Sequence, residues 1–300
     1  MTDTLTEPGG YGDRQVERRR PGDGDRQPGY PGDRRKGFGA VLRRSGRIWA
    51  VGAVHGEAAA LEALHDAIAD RIRMDDRIVY LGDIMGYGPR IAETVDELLR
   101  FRVAFLARPP YAHVDDLVFL RGQQEEIWQK LLQIQFAVNP LEVIEWALDH
   151  GAEATIHAYG GDAAAAISCA RGGALALTRW AGEMRERMNR CPGHGAFLNS
   201  LRRCARTDEG SLLFVNAGID PSRALINQTD GFWWDSRGFD AIDAPYAGFR
   251  RIVRGLDPRG GGFAEGPWSL TVDEGCGFGG PLTAVCLDPL SGEVLDRVEA

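Results

Sequence analysis

Gly82-Asp83-Ile84-Met85-Gly86-Tyr87-Gly88-Pro89 is the stretch on which the fold reading turns. A short apolar run at 77–81 precedes it, and residues 91–101 after it carry apolar side chains at helical spacing. The segment is therefore a glycine-rich loop between a strand and a helix. Upstream the same unit occurs once more: Ile48-Trp49-Ala50-Val51 ends at Gly52, and Leu61, Leu64, Ile68 and Ile72 mark a helix over 57–72. Downstream it occurs a third time, with a strand at 117–120, a turn at Arg121-Gly122 and a helix over 123–136. Three strand-loop-helix units in succession predict a largely parallel sheet with its working loops at the C-terminal strand ends.

Beyond these units the pattern changes. Residues 139–204 read as helical, with candidate helices over 141–150, 163–169 and 174–190, and together with the helix from 123 they suggest a cap over about 123–204. Strand signals return at 211–215, 249–253, 268–272, 282–287 and 293–298, which suits a second sheet packed on the first. Residues 1–46 are Gly, Pro, Arg and Asp with few apolar side chains, so a disordered tail is expected there and one domain over 47–300. Ten Lys/Arg against seven Asp/Glu give that tail +3 and leave −11 on the remainder of a chain whose net charge is −8. An acidic body argues against nonspecific binding to nucleic acid or membrane. Five cysteines without CxxC spacing indicate neither a disulfide framework nor a zinc ribbon. No apolar run reaches the ~18 residues of a membrane span, and a cytoplasmic protein is expected.

The loops resemble, in order, those of the calcineurin-like metallophosphoesterases, and among them the bacterial serine/threonine protein phosphatases and symmetrical diadenosine tetraphosphate hydrolases. Gly52-Ala53-Val54-His55-Gly56 stands where that superfamily has GDxHG, and Gly82 to Pro89 where it has GDxxDRGP. Leu120-Arg121-Gly122-Gln123-Gln124-Glu125 resembles LRGNHE, and Val215-Asn216-Ala217-Gly218-Ile219-Asp220-Pro221 resembles VHAGIDP. Val253-Arg254-Gly255-Leu256-Asp257-Pro258 occupies the late histidine loop, and 273–284 resembles DTGAxxGGxLTA. The resemblance covers nearly all of 47–300 and implies a four-layer αββα sandwich with a helical cap insertion.

It also implies a two-ion centre, in which paired divalent cations ~3.5–4 Å apart clamp the phosphate and generate the nucleophile. Of that ligand set this chain keeps His55 and Asp83, with Gln123 and Asn216 as neutral amides in two further positions and Ala53 and Leu256 in the remaining two. Ala53 and Leu256 have no lone pair to offer, and amides compensate a dication poorly. A single Mn or Zn ion on His55, Asp83, Gln123 and Asn216 is the most metal the set suggests, with Asp257 a further carboxylate if its loop shifts. Gln124 occupies the acid/base position, where it moves no proton near pH 7. Gly86 replaces that group's aspartate partner, and Tyr87 the phosphate-orienting arginine. Arg121, Arg237 and Arg254 remain at or beside phosphate-facing positions. They either bind a phosphate together or pair with interior acids such as Asp83 and Asp273.

The expectation is a weak or inactive phosphatase-type hydrolase fold, a pseudophosphatase that binds a phosphorylated protein or a small phosphate ligand. The alternative is an active phosphoesterase with an altered or single-metal site. A third reading makes the cap around Trp128 and Trp180 the working surface. His65, His113, His150, His157 and His194 lie outside the motif loops and read as surface or structural.

Overall fold

A computed structural model describes residues 39–43, 45–109 and 112–300. Two sheets lie face to face. The first has strands β2 (Ile48–Val51), β3 (Arg77–Tyr80), β4 (Leu117–Phe119), β10 (Thr283–Leu287) and β11 (Val294–Glu299), in the order β11-β10-β2-β3-β4. β2, β3 and β4 run parallel, and β10 and β11 close the edge antiparallel. The second sheet has β1 (Gly39–Leu42), β5 (Cys204–Thr207), β6 (Leu212–Val215), β7 (Arg251–Arg254), β8 (Ala264–Glu265) and β9 (Ser269–Thr271), in the order β1-β5-β6-β7-β9-β8. Its central strands β6, β7 and β9 are parallel.

Strand alternation sends each sheet's residues to two different cores. Between the sheets, Ile48, Ala50, Val79, Leu81 and Val285 meet Phe214, Val253, Leu270 and Val272 in one buried cluster. On the outer face of the first sheet, Trp49, Val51, Ile78 and Tyr80 pack on helices α1 (Ala58–Ala69) and α2 (Ile91–Leu106). On the outer face of the second, Leu213, Val215 and Ile252 are covered by Phe232, Trp233, Phe239 and Phe249 from short helices and loops. The layering is αββα, with its fourth layer thin.

The expected tail boundary is corrected at its C-terminal end. Gly39–Leu42 forms β1, paired parallel to β5 with Leu42 fully buried, because a short apolar run completes the second sheet's edge. The rest of the tail expectation, over 1–38 and at 44, falls outside the described residues. The region expected as a cap contains α3 (Gln123–Leu131), α4 (Pro140–Asp149), α5 (Ala152–Ala158), α6 (Ala163–Arg171), α7 (Ala174–Arg190) and α8 (His194–Ser200). Its Trp128 and Trp180 are buried in the same core as α1 and α2, so neither offers a partner surface. Buried His194 ties α8 to α5 through the Tyr159 hydroxyl at 3.1 Å and to α2 through Asp96 at 3.0 Å. Among the described residues no helix is long and apolar enough to cross a membrane, and all five cysteines are free thiols.

Gly52 lies where the two sheets approach each other behind the site. A Cβ there would sit 2.1 Å from the Val272 carbonyl oxygen, a backbone atom with no room to yield. Gly52→Ala is therefore expected to lower the free energy of unfolding by about 1–3 kcal/mol, read from urea denaturation.

Candidate functional site

The loops after β2, β3, β4, β6 and β7 converge at the C-terminal strand ends and are bonded to one another through their backbones. The Asp83 carbonyl accepts from the N–H groups of Val54 and His55, at 2.9 and 2.8 Å, and the Asn216 carbonyl accepts from those of Gly255 and Leu256, at 2.9 and 3.1 Å. Ala53 N–H donates to the Gly255 carbonyl and so joins the two sheets' loops. His55, Asp83 and Tyr87 take left-handed backbone conformations, with φ of 50°, 53° and 56°. Such conformations cost a non-glycine residue of order 1–3 kcal/mol and persist only where the surroundings enforce them.

Much of that enforcement comes from Glu125, which the sequence reading quoted but gave no role. Its buried carboxylate accepts four backbone N–H groups: Asp83 and Gly122 on Oε2, at 3.0 and 2.7 Å, and Ile84 and Met85 on Oε1, at 2.9 and 3.0 Å. A glutamate three residues after Gly122 at the start of a helix is the available sequence signal, since that position commonly returns to the helix N-terminus.

Three of the four candidate metal-site residues are directly linked, in a way that engages both oxygens of Asp83. Asp83 Oδ1 accepts from the Gln124 N–H at 2.8 Å, and Oδ2 accepts from Asn216 Nδ2 at 2.9 Å. Asn216 is held in this orientation, because Nδ2 also donates to the Leu81 carbonyl at 2.9 Å while Oδ1 accepts from the Gln123 N–H at 3.2 Å. Turning the amide over would set oxygen against oxygen and N–H against N–H. The Gln123 side chain leaves the group and donates to the Trp233 carbonyl at 2.5 Å. His55 is buried, its Nδ1 3.4 Å from the Met85 carbonyl and its Nε2 without a hydrogen-bond partner.

The acid/base position is also rebuilt. Gln124 Nε2 donates to the His150 carbonyl at 2.8 Å, which leaves Oε1 buried and unpaired. A Cβ on Gly86 would lie 2.3 Å from that oxygen, so the glutamine fills the space that a side chain at 86 would need. Over His55 lie the rings of Tyr87 and Phe278, edge-on with centroids at 5.3 and 5.4 Å and 4.6 Å from each other.

The three arginines do not assemble. Arg121 pairs with Glu126 at 3.3 Å and lines a cavity of about 200 Å³ between α3, α7 and α8. Arg254 is buried and bonds to Thr271 Oγ1 at 2.9 Å, Asp257 at 3.2 Å and Asp240 at 3.4 Å. Arg237 is exposed on α10 (Ser236–Asp240). Asp257 offers no replacement carboxylate, since it accepts from the Arg259 and Gly261 N–H groups, both at 3.2 Å, besides pairing with Arg254. The second of the two arginine readings, pairing with interior acids, thus describes Arg254, although its partners are Asp240 and Asp257.

Buried carboxyls dominate the electrostatics. Burial raises the Asp83 pKa to about 6 against the opposing hydrogen bonds, and burial together with the Asp83 charge raises Glu125 to about 7. Burial lowers His55 to about 4, so its imidazole is neutral near pH 7. Its Nδ1 faces the Met85 carbonyl at 3.4 Å, a contact that favours the proton on that nitrogen.

A two-ion centre does not fit these residues. Each Asp83 oxygen already accepts an amide N–H, and Asn216 presents nitrogen, not oxygen, toward it. Where two further ligands belong, Ala53, Ala217 and Leu256 form a small buried apolar cluster. Neutral donors and methyl groups stand in place of the cations.

Two predictions follow from this arrangement. Asn216→Ala leaves Asp83 Oδ2 and the Leu81 carbonyl without that donor, and is expected to cost about 1–3 kcal/mol of stability by chemical denaturation. For the pH dependence, the raised Asp83 pKa means the folded protein binds more protons than the unfolded chain between the ordinary aspartate value and about 6. That contribution is present below the window and lost as pH rises through it. Wild type is therefore expected to lose stability relative to Asp83→Asn between pH 4 and pH 7, measured by urea unfolding at each pH.

Neither a family model nor a curated protein matches the chain in sequence. Solved structures do match. One is a protein assigned as a diadenosine tetraphosphatase, 20% identical, covering 88% of this chain and 98% of its own with a TM-score of 0.51. A serine/threonine phosphatase from Saccharomyces cerevisiae with similarity to human PP5 is 13% identical, covers 87% and 82%, and scores 0.47. A cold-active protein-tyrosine phosphatase of a psychrophilic Shewanella is 13% identical, covers 86% and 81%, and scores 0.44. The first of these, spanning almost the whole of both chains, joins the two-sheet architecture and the order of the loops in one conclusion: the chain has the metallophosphoesterase fold.

Proposed function

We propose that this chain is a non-catalytic relative of the phosphoesterases, a binding protein built on a hydrolase scaffold. The observation that carries the reading is the state of Asp83: both oxygens accept hydrogen bonds, from Asn216 and the Gln124 N–H, beside the apolar trio Ala53, Ala217 and Leu256. Hydrolysis by this fold needs a cation to polarise the phosphate and to lower the pKa of an attacking water. Here both Asp83 oxygens already accept N–H donors, and admitting a cation against the Asn216 amide nitrogen means breaking the Asn216 bonds. Without the cation Gln124 has no role in proton transfer, since an amide neither gains nor loses a proton near neutral pH. The partner is proposed to be a protein or small ligand recognised at the mouth of the old site. Binding a phosphate between Arg121, Arg237 and Arg254 receives no support, since Arg121 and Arg254 are held in separate ion pairs and Arg237 stands exposed on its helix.

Purified protein titrated with Mn²⁺ and Zn²⁺ by calorimetry is expected to show no near-stoichiometric site, and p-nitrophenyl phosphate no metal-stimulated turnover. Near-stoichiometric binding together with turnover, both abolished by Asp83→Ala, would overturn the proposal in favour of a single-metal phosphoesterase.

A further inference from the structure

We infer that the helical cap holds a second binding site: the cavity between α3, α7 and α8 takes a small aromatic carboxylate, a monoanion whose body is the size of a benzene ring. The cavity is separate from the old site, since His55, Asp83, Gln124 and Asn216 do not line it.

Size and floor come first. The cavity has a volume of about 200 Å³. An apolar cavity of ~150 Å³ is enough to accept benzene, so this one has room for such a ring and a small polar head. Part of its wall is apolar: Trp128, Leu132 and Met188 are buried there and Leu198 packs beside them. Trp128 Nε1 donates to Met188 Sδ at 3.3 Å, so the indole N–H is already engaged within the wall. Burying a ring against these side chains is favoured by the area it removes from water.

The rest of the wall donates hydrogen bonds. Arg121 and Arg185 both line the cavity, and a guanidinium carries five N–H donors in a fork that matches a carboxylate. Arg185 spends Nη2 on the Leu132 carbonyl at 2.6 Å, which ties its side chain from α7 to the end of α3, and among the described residues no acid pairs with it. Arg121 shares Glu126 with Lys130, at 3.3 and 3.8 Å, so one carboxylate there faces two cations. Among the described residues of the lining Glu125 is the sole acid. Both its oxygens are occupied by backbone N–H groups, and burial together with the Asp83 charge raises its pKa to about 7. Neutral amides complete the wall. That of Asn189 has its place because Gly195 lacks a side chain, since a Cβ at 195 would lie 2.3 Å from Asn189 Oδ1.

These features select the class of ligand. Two guanidiniums without a free acid between them attract an anion, and the apolar floor favours one that carries an apolar body. The charge of −11 on the body of the protein repels a phosphate dianion more strongly than a carboxylate. A pocket of this kind, mostly apolar with a few convergent polar groups, is the usual form of a small-molecule site. The volume suits a free small molecule, with no space left for the chain of a peptide.

The test titrates the full chain, carrying ¹³C-methyl methionine, with sodium benzoate and follows it by NMR and calorimetry. Saturable one-to-one binding is expected, with a shift of the Met188 methyl signal, assigned through Met188→Leu, and none at the exposed Met74. Benzamide, the neutral isostere, is expected to bind at least about tenfold more weakly because the charge-assisted hydrogen bonds are lost. Arg185→Ala is expected to weaken benzoate binding by about tenfold for the same reason, while Arg171→Gln, an exposed change on α6, leaves it unaltered. Gly195→Leu places a side chain against the cavity and is expected to abolish binding; if that variant fails to fold, Arg185→Ala, at an exposed position, carries the test. Absence of saturable binding, which would leave the cavity to water alone, overturns the inference. So does equal binding of benzamide, an equal loss from Arg171→Gln, or tighter binding of phenyl phosphate than of benzoate. Because the residues of the old site do not line this cavity, the outcome bears on the cavity alone, and the Mn²⁺ titration tests the metal-free reading separately.

Discussion

The hydrogen bonds that Asp83 receives from Asn216 and from the Gln124 backbone hold the C-terminal ends of both sheets together. Asp83 lies in the loop after β3 of the first sheet and Asn216 directly follows β6 of the second, so their 2.9 Å contact bridges the sandwich at its working edge. Burying a carboxylate costs several kcal/mol unless hydrogen bonds satisfy it, and the raised pKa of Asp83 shows that the compensation is incomplete. Glu125 completes the frame from behind. By accepting four backbone N–H groups it fixes the loop that carries Asp83 and accounts for the left-handed backbone there.

That frame explains how the loops keep their shape with neutral side chains in most of the positions where the resemblance implies metal ligands. A metal ion crosslinks loops by pulling several lone pairs to one point. In this chain Asn216 performs a similar crosslink by other means, with one amide that donates to Asp83 and Leu81 and accepts from Gln123. Beside it Ala53, Ala217 and Leu256 form a buried apolar cluster, whose burial needs no counter-charge. The two changes suit each other physically: a neutral amide beside methyl groups avoids the unpaired charge that a half-retained centre would leave. The Gln124 and Gly86 pair follows the same logic, since the longer side chain occupies the space above a residue without one.

Much of the architecture was legible along the chain. The apolar runs at 48–51 and 77–81, with a glycine-rich loop and a 3.6-residue pattern after each, gave the parallel strands and helices α1 and α2 within a few residues. The helices α5 and α8 were not read, because each is seven residues long and stands next to glycine, too short for a periodic signal. Strands β1, β5 and β8 were missed for a similar reason: two to four residues hold no alternation that distinguishes them from loop, and β1 relies for its pairing on β5, far away in the chain.

At the site, residue type alone determined one thing firmly. The side chains of Ala53 and Leu256 cannot ligate in any geometry, so it was readable before any coordinates that the positions the resemblance implies do not supply a full two-ion ligand set. Tertiary structure decided the rest, because the direction in which an amide or guanidinium group works depends on neighbours far away in the chain. Asn216 acts as a donor to Asp83 through a contact across 133 positions, and Gln123 turns away to Trp233 across 110. Arg121 faces the cap and Arg254 is drawn inward to Asp257. The sequence by itself determined which groups were available to the site, and the packing of two sheets determined which of their atoms were already bonded and which, at His55 and Gln124, were left bare.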